Sequence, residues 1–305
     1  MNRRIRSLAA AVGLVLLLTG CHAGKPGADG EKPNRPWPQT VTYSNLNDEE
    51  SRELVDRLLT VLPTGEEYRK IFFDHVDQFN SIMKPEELTE GFEEVSITQP
   101  KYDSYDLQER WDAEHPEFLG YNCRITAFSL FYPLLHTREE TTVGNPDFIG
   151  MDLMSLEADP SAIPETYGMK RPMEDFAALY TGVETENTRD VSVHVKNLQE
   201  NWKDRYIDFE QGGATLISVV FHDQLDGDRL FVGHTGLLFE KEDGLFFLEK
   251  LAFQEPYQLV KLNSRAELSD YLMMKYDVEF NQPTAPPFIM ENDQLIEGYR
   301  PRPEV

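Results

Sequence analysis

Four apolar segments in the last third of the chain constrain its fold more than any other feature. Residues 214–221, 230–240, 245–253 and 257–262 are rich in Val, Ile, Leu and Phe, and the polar turns D-G-D and E-D-G fall between them. Short β-branched and aromatic runs bounded by such turns read as consecutive antiparallel strands. The chain before them is patterned differently. At 48–62, Leu54, Leu58, Leu59 and Leu62 line one helical face, Asn47 or Asp48 can cap it, and Pro63 follows its end. At 66–80, Ile71, Phe72, Val76 and Phe79 point inward, with His75 between them as a surface or hydrogen-bonded structural residue. Residues 105–114 carry a weaker helical signal around Trp111, 173–180 a short helix, and 190–206 a stripe of Val191, Val195, Leu198 and Trp202. Ser264 and Glu267 resemble a capping box opening a last helix to residue 276. Residues 86–105 lack a sustained period and read mostly as loop. Residues 137–172, broken by Gly144, Pro146, Gly150, Pro160 and Pro164, read as a long loop covering or walling the domain. Helices first and a strand meander afterwards predict a single α+β domain over 41–280, with a Pro-rich tail over 281–305 wrapping the surface.

The stretch G-Y-N-C-R-I-T-A-F-S-L-F-Y-P-L-L, residues 120–135, is the expected centre of that domain. Asn122 is a good N-cap, since its side-chain oxygen can accept a backbone N–H that the first turn leaves unpaired. Ile125, Phe128, Phe131 or Tyr132, and Leu135 recur at helical spacing and predict a buried face. Cys123 therefore sits at a helix N-terminus, where the helix dipole favours thiolate.

The N-terminus bears on whether that thiol has a partner. Arg3, Arg4 and Arg6 form a cationic region, residues 8–18 an apolar one too short for an ordinary spanning helix, and L-T-G-C ends at Cys21. This resembles a bacterial lipoprotein signal, which implies removal of residues 1–20 and a lipid on Cys21. Residues 21–40 then read as the lipidated cysteine and a flexible Gly/Pro-rich tether. The expected location is the extracytoplasmic face of the cell membrane, with the membrane itself a partner through the lipid anchor. Cys123 would be left without an intrachain disulfide partner. Fifty-four acidic residues against 29 basic, a formal net charge of -25, disfavour nucleic acid as a partner. Without the three signal arginines the balance is 26 against 54, or -28. No zinc pattern, calcium loop or phosphate-binding glycine loop is present, so no cofactor or metal is expected; His194 and His222 have no ligand spacing with anything nearby, and D-G-D at 226–228 is too short for a calcium site.

Two residues from the strand region complete a candidate site. His234 lies in V-G-H-T-G-L-L-F, and the next strand, L-F-F-L-E-K-L-A-F, carries Glu249. If the hairpin loop is 241–244, Glu240 faces Leu245 and Gly236 faces Glu249, so Glu249 lies diagonal to His234 on the same face of the sheet. A three-residue loop would present Lys250 instead. Gly233 and Gly236 leave room for another backbone or a substrate. A thiol needs an adjacent base to ionise near neutral pH. His234 can take the proton of Cys123, and Glu249 can hold the imidazole in one tautomer. The Cys123 N–H and the Tyr121 hydroxyl are candidate oxyanion donors. Each residue also has a purely structural reading. Cys123 can be a small core residue, His234 a satisfied strand histidine, Glu249 a partner of Lys250 or Lys261, and Tyr121 a hydrophobic staple.

Cysteine on a helix, histidine on a strand and a polar residue on the next strand resemble, in that order, the papain-like NlpC-type cysteine peptidases and amidases. The hairpin H-T-G-L-L-F-E-K-E-D-G-L-F-F-L-E is similar to theirs. The segments Y-S-N-L, G-Y-N-C-R-I, G-H-T-G and E-K-L-A-F-Q-E-P-Y-Q, between residues 43 and 276, resemble more closely a bacterial lipoprotein family, domain of unknown function 4300. The first resemblance implies a papain-like fold and a thiol hydrolase or acyl-transfer activity on peptide or amide bonds of a cell-envelope substrate. It implies catalytic roles for Cys123, His234 and Glu249. N-C-R-I in place of D-C-S-G, glutamate as the third polar residue, and the long insert after Cys123 depart from that pattern. A non-catalytic surface lipoprotein, binding a ligand or protein on a degenerate papain-like scaffold, is the alternative.

Overall fold

The four apolar segments pair in chain order and form the middle of a large sheet. The computed structural model describes residues 35–303 apart from 145, 164–170 and 280. The first half of the domain runs β1 (Thr40–Ser44), α1 (Glu49–Leu59), α2 (Glu66–Asn80), β2 (Glu93–Ser96), α3 (Ser104–Glu114), α4 (Cys123–Phe131), β3 (Leu135–His136), α5 (Gly150–Ala158), α6 (Pro172–Tyr180) and β4 (Val183–Glu184). The second half runs α7 (Val191–Asp204), β5 (Asp208–Phe209), β6 (Thr215–Asp223), β7 (Arg229–Lys241), β8 (Gly244–Ala252), β9 (Glu255–Leu262), α8 (Arg265–Tyr276), β10 (Phe288–Glu291) and β11 (Gln294–Leu295). The main sheet has the order β11-β10-β6-β7-β8-β9-β1-β2, with β4 beside β7, and β3 pairs only with β5. Every pairing in it is antiparallel. Together with the eight helices among the described residues this is an α+β fold.

Local chemistry explains where the helices begin. Asp48 accepts the Ser51 N–H at 2.9 Å, Asn122 the Ile125 N–H at 3.0 Å, and Ser264 the Glu267 N–H at 3.2 Å. Each cap satisfies an orphan first-turn donor, typically worth about 1 kcal/mol. The helices bury the expected stripes, with Val55, Leu58 and Leu59 in α1 and Tyr68, Phe72, Val76 and Phe79 in α2.

Strand alternation divides the core. Leu237, Phe239, Phe246 and Leu248 face α1 to α7, and α4 lies on that side with Ile125, Phe128 and Phe131 buried. Leu238, Leu245, Phe247, Val219 and Val260 face α8 through Leu268, Tyr271, Leu272 and Met273. Phe246, Phe247 and Tyr257 are sheet core, as their spacing predicts.

Within the mostly loop segment 86–105, β2 forms the acidic edge of the sheet beside β1. Three expectations need correction. The long polar insert contains α5, whose inward face is Asp152, Ser155 and Leu156 while Met151 and Met154 lie outside. That inverted pattern hides a helix from any search for apolar periodicity. The Pro-rich tail is no surface wrap. Phe288, Ile289 and Met290 are fully buried in β10, paired with β6. At the other end, Trp37 packs under the Arg300 guanidinium at 4.1 Å, so the last residues of the expected tether belong to the domain. Cys21 and the signal sequence lie outside the described residues. Among the described residues, no helix is long and apolar enough to cross a membrane.

Candidate functional site

The N-terminus of α4, the middle of β7 and the end of β8 meet at three buried side chains. Gly120 prepares the approach. Its φ of +84° is left-handed, and a Cβ there would lie 2.8 Å from the Trp111 ring, so only glycine fits between Trp111 and the cap. Asn122 then starts the helix and Cys123 is its first residue. On β7, Gly233 is the extra residue of a bulge: Val219 pairs with His234, but Val220 pairs with Val232. Bulges of this kind re-aim neighbouring side chains. On β8 the observed Glu240–Leu245 pairing sets the anticipated register, and the ladder stops at Leu237–Leu248. His234 and Glu249 lie on the α8 side of the sheet, and α4 on the other. The thiol and the imidazole meet where the two strands are no longer paired.

The hydrogen bonds define roles. His234 Nε2 contacts Glu249 Oε2 at 2.5 Å. The other carboxylate oxygen accepts from Gln258 Nε2 at 2.6 Å and from the Tyr271 hydroxyl at 2.7 Å. A carboxylate in that position requires Nε2 to be the protonated nitrogen, which leaves Nδ1 as the base. Nδ1 makes no hydrogen bond, and the Cys123 thiol is among the groups that act on the ring. The sulfur also lies 3.9 Å from Gly233 O. Tyr276 stacks on the imidazole with ring centres 4.6 Å apart and planes at 23°, supporting a charged ring from its face.

The ionisation states follow from these contacts. Burial pushes the Cys123 thiol up, but the facing His234 and nearby Arg124 outweigh it and hold the thiol below its ordinary value. Burial opposes a charged His234, and the Cys123 and Glu249 charges override it, raising the imidazole to about 9. Burial works against an ionised Glu249, yet its hydrogen bond to His234 and the charges of His234 and Lys275 hold it low. Each shift moves the site toward a thiolate facing an imidazolium backed by a carboxylate.

Arg124 does not point to solvent. It grips Asp152 of α5 with Nε at 2.8 Å and a second guanidinium nitrogen at 2.6 Å, and donates to Val232 O at 2.9 Å. Asp152 also accepts from Asn122 Nδ2 at 2.8 Å. One fully buried carboxylate from the insert thus ties the helix cap and the residue after the thiol to the strand that carries His234.

Not every expected residue is where its role requires. Tyr121 is a correction: its hydroxyl donates its only proton to Asp159, and its ring stacks on His75 at 3.9 Å. Burial and the Asp159 carboxylate keep that phenol protonated and committed, so it is no donor at Cys123. The glycines leave no room for substrate either. A Cβ on Gly236 would lie 2.6 Å from the Phe247 ring and 2.7 Å from Leu248 O, and one on Gly233 would lie 2.5 Å from the Phe221 ring. Lys250 and Lys261 are not partners of Glu249. Lys250 donates to Ala252 O at 2.8 Å and sits 3.5 Å from the centre of the Phe79 ring, and Lys261 lies 3.4 Å from that of Phe92.

Gln258, Tyr271 and Asp152 escaped the sequence reading. Gln258 was within reach, because the tight turn after β8 sets it opposite Glu249. Tyr271 and Asp152 reach the site from helices with no sequence link to it. His194 and His222 approach with ring centres 4.5 Å apart. Their nitrogens are already bonded to Thr185, Thr188, Asp228 and Ala285. Among the described residues no group of three or more His, Cys, Asp or Glu is arranged to hold a metal ion. A groove of about 560 Å³ beside β4 and α7, lined by Glu184, Glu186, Glu200, Asp204 and Arg205, includes none of Cys123, His234 and Glu249. Chemistry rather than cavity size marks the site.

The protein is an α+β domain that buries Cys123, His234 and Glu249. The chain belongs to the family described as Domain of unknown function (DUF4300), whose model matches residues 42–296. That match takes in both the relay and the C-terminal strands. No curated protein and no solved structure matches the chain.

Proposed function

We propose that this chain is a lipoprotein, anchored to the extracytoplasmic face of the cell membrane through Cys21, whose domain is a thiol hydrolase or acyl-transfer enzyme on a papain-like, NlpC-type scaffold. The observation that carries the reading is the relay itself. Cys123 starts a helix, His234 leaves Nδ1 without a hydrogen bond and acts on the thiol, and Glu249 holds Nε2 at 2.5 Å. The papain-like part rests on the order of elements: Cys helix, His strand, polar residue on the next strand. In the reaction, the Cys123 sulfur attacks the carbonyl carbon of a peptide or amide. The electron pair of the C=O bond moves to oxygen, and His234 Nδ1–H protonates the leaving amine as the C–N bond breaks. Water then attacks the thioester while His234 takes its proton, and the acid departs with the thiolate restored. Glu249 keeps the imidazole in the required tautomer throughout. An envelope peptide or cell-wall fragment is the substrate class that suits a surface-anchored domain. A net charge of -25 argues against nucleic acid.

A second reading has one observation in its favour. Cys123 is 5% exposed, and His234 and Glu249 are 1% exposed, as in a packed, non-catalytic binding domain. Incubating the protein with envelope peptides and following the products by mass spectrometry separates the two. Hydrolysis that disappears in C123A and H234A supports the enzyme. Identical product profiles for wild type and C123A, with Cys123 inert to a thiol-directed electrophile at neutral pH, would leave the binding domain.

A further inference from the structure

Acyl transfer at Cys123 needs donors for the oxygen that becomes negative. With Tyr121 committed to Asp159, one is the Cys123 N–H, which at the first position of α4 has no helical acceptor. A second donor has to come from another side chain. Tyr180, the last residue of α6, is 1% exposed, with its ring 5.0 Å from Phe176 and 6.3 Å from Phe128 of α4. Its hydroxyl is fully buried and makes no hydrogen bond of acceptable geometry. Thr235, the residue after His234, is close enough to bear on it, and that side chain donates to Ile217 O at 2.7 Å. Burial keeps the phenol protonated, and the Cys123 sulfur is the foremost charge acting on it. A buried hydroxyl without a partner is costly, and native structures retain few of them. Here Cys123, Arg124 and Asp152 are the charged groups that act on it, and it has one proton to give.

We propose that the Tyr180 hydroxyl is the second oxyanion donor, binding with the Cys123 N–H the carbonyl oxygen of an acyl substrate as the sulfur attacks. The role rests on reading Cys123 as a nucleophile. The phenol hydrogen-bonds the oxygen while the C–S bond forms and the C=O pair moves onto it. It releases that bond when the carbonyl is restored, and its own proton is not transferred. The hydroxyl is unsatisfied in the resting state because its acceptor arrives only with the substrate.

Two small electrophiles test the role on the full chain. Iodoacetamide alkylates a thiolate by displacement and forms no oxyanion at a carbonyl. p-Nitrophenyl acetate acylates it through a tetrahedral oxyanion. Modification is read at Cys123 by peptide mass spectrometry, so Cys21 does not interfere, and C123A sets the background. Tyr180→Phe is expected to slow acylation about 100-fold, the usual cost of losing one such donor. Alkylation should stay within about twofold of wild type, and Tm should not fall, since the variant removes an unsatisfied polar group. Acylation and alkylation that drop together, or an acylation rate that does not change, would overturn the role of Tyr180 while leaving Cys123 a nucleophile. A wild-type Cys123 inert to both reagents would overturn the nucleophile reading and the Tyr180 role with it.

Discussion

Replacing Glu249 by glutamine probes the relay without altering its shape. Glu249 Oε1 receives two donors, Gln258 Nε2 at 2.6 Å and the Tyr271 hydroxyl at 2.7 Å, and Oε2 receives His234 Nε2 at 2.5 Å. An amide has one oxygen and one NH2 group. Turning its oxygen to Gln258 and Tyr271 satisfies two donors, and the NH2 then faces His234 Nε2. Nε2 must become an acceptor, so the proton moves to Nδ1 and the neutral imidazole presents N–H, not a lone pair, to Cys123. The carboxylate charge that supports the imidazolium is lost as well. A hydrogen bond to a charged group contributes about 1.5–3 kcal/mol, and about 1.4 kcal/mol corresponds to one pH unit, so the ionisation midpoint of Cys123 should rise by about one to two. The assay is the pH dependence of iodoacetamide alkylation at Cys123 in wild type and E249Q, read by peptide mass spectrometry. Coincident profiles would refute the tautomer argument. A folded E249Q whose midpoint moves up by at least one pH unit would bear it out.

Other perturbations test the surrounding structure. Asp152→Ala leaves the Arg124 guanidinium, only 12% exposed, without its carboxylate; the loss of stability by urea unfolding should be about 3 kcal/mol, and Cys123 alkylation should also change. Ending the chain at residue 283 removes the fully buried Phe288, Ile289 and Met290, worth together about 6 kcal/mol at about 2 kcal/mol each, against a usual total of about 5–15. Such a chain should show no cooperative unfolding transition, whereas ending after residue 302 should be tolerated. The His234 interaction carries a pH signature. Its folded value of about 9 lies above its ordinary 6.5, so its contribution is complete below 6.5 and is lost as pH rises through 9. The destabilisation caused by His234→Gln, measured by urea unfolding, should therefore shrink between pH 7 and pH 10.

The parts of the fold legible in the sequence depend on neighbours a few residues apart. Asn122 caps the helix that Cys123 opens because cap chemistry is local, and E-D-G sets the β7–β8 register because a tight turn does. That register brings Glu249 to His234. What was not legible depends on partners far along the chain. Asp152 reaches Arg124 across 28 residues from a helix whose buried face is polar, so no apolar period betrays it. Tyr121 reads as an oxyanion donor, but its hydroxyl is committed to Asp159, 38 residues away. The proline-rich tail reads as a surface wrap, yet F-I-M-E after its prolines joins the sheet beside β6. Edge partners are chosen by three-dimensional closure, and a sequence pattern alone does not name them.

The central claim is a thiolate–imidazolium pair at Cys123 and His234 in the resting protein. Nuclear magnetic resonance of nitrogen-15-labelled histidine tests it most directly, because the ring nitrogen shifts distinguish imidazolium from either neutral tautomer. His234 should remain an imidazolium through pH 7 to 8 and titrate near 9, and it should titrate at lower pH in Cys123→Ser, where the thiolate is gone. A wild-type His234 that is neutral at pH 7 and titrates at or below its ordinary value, unchanged by Cys123→Ser, would contradict the pair and the function built on it.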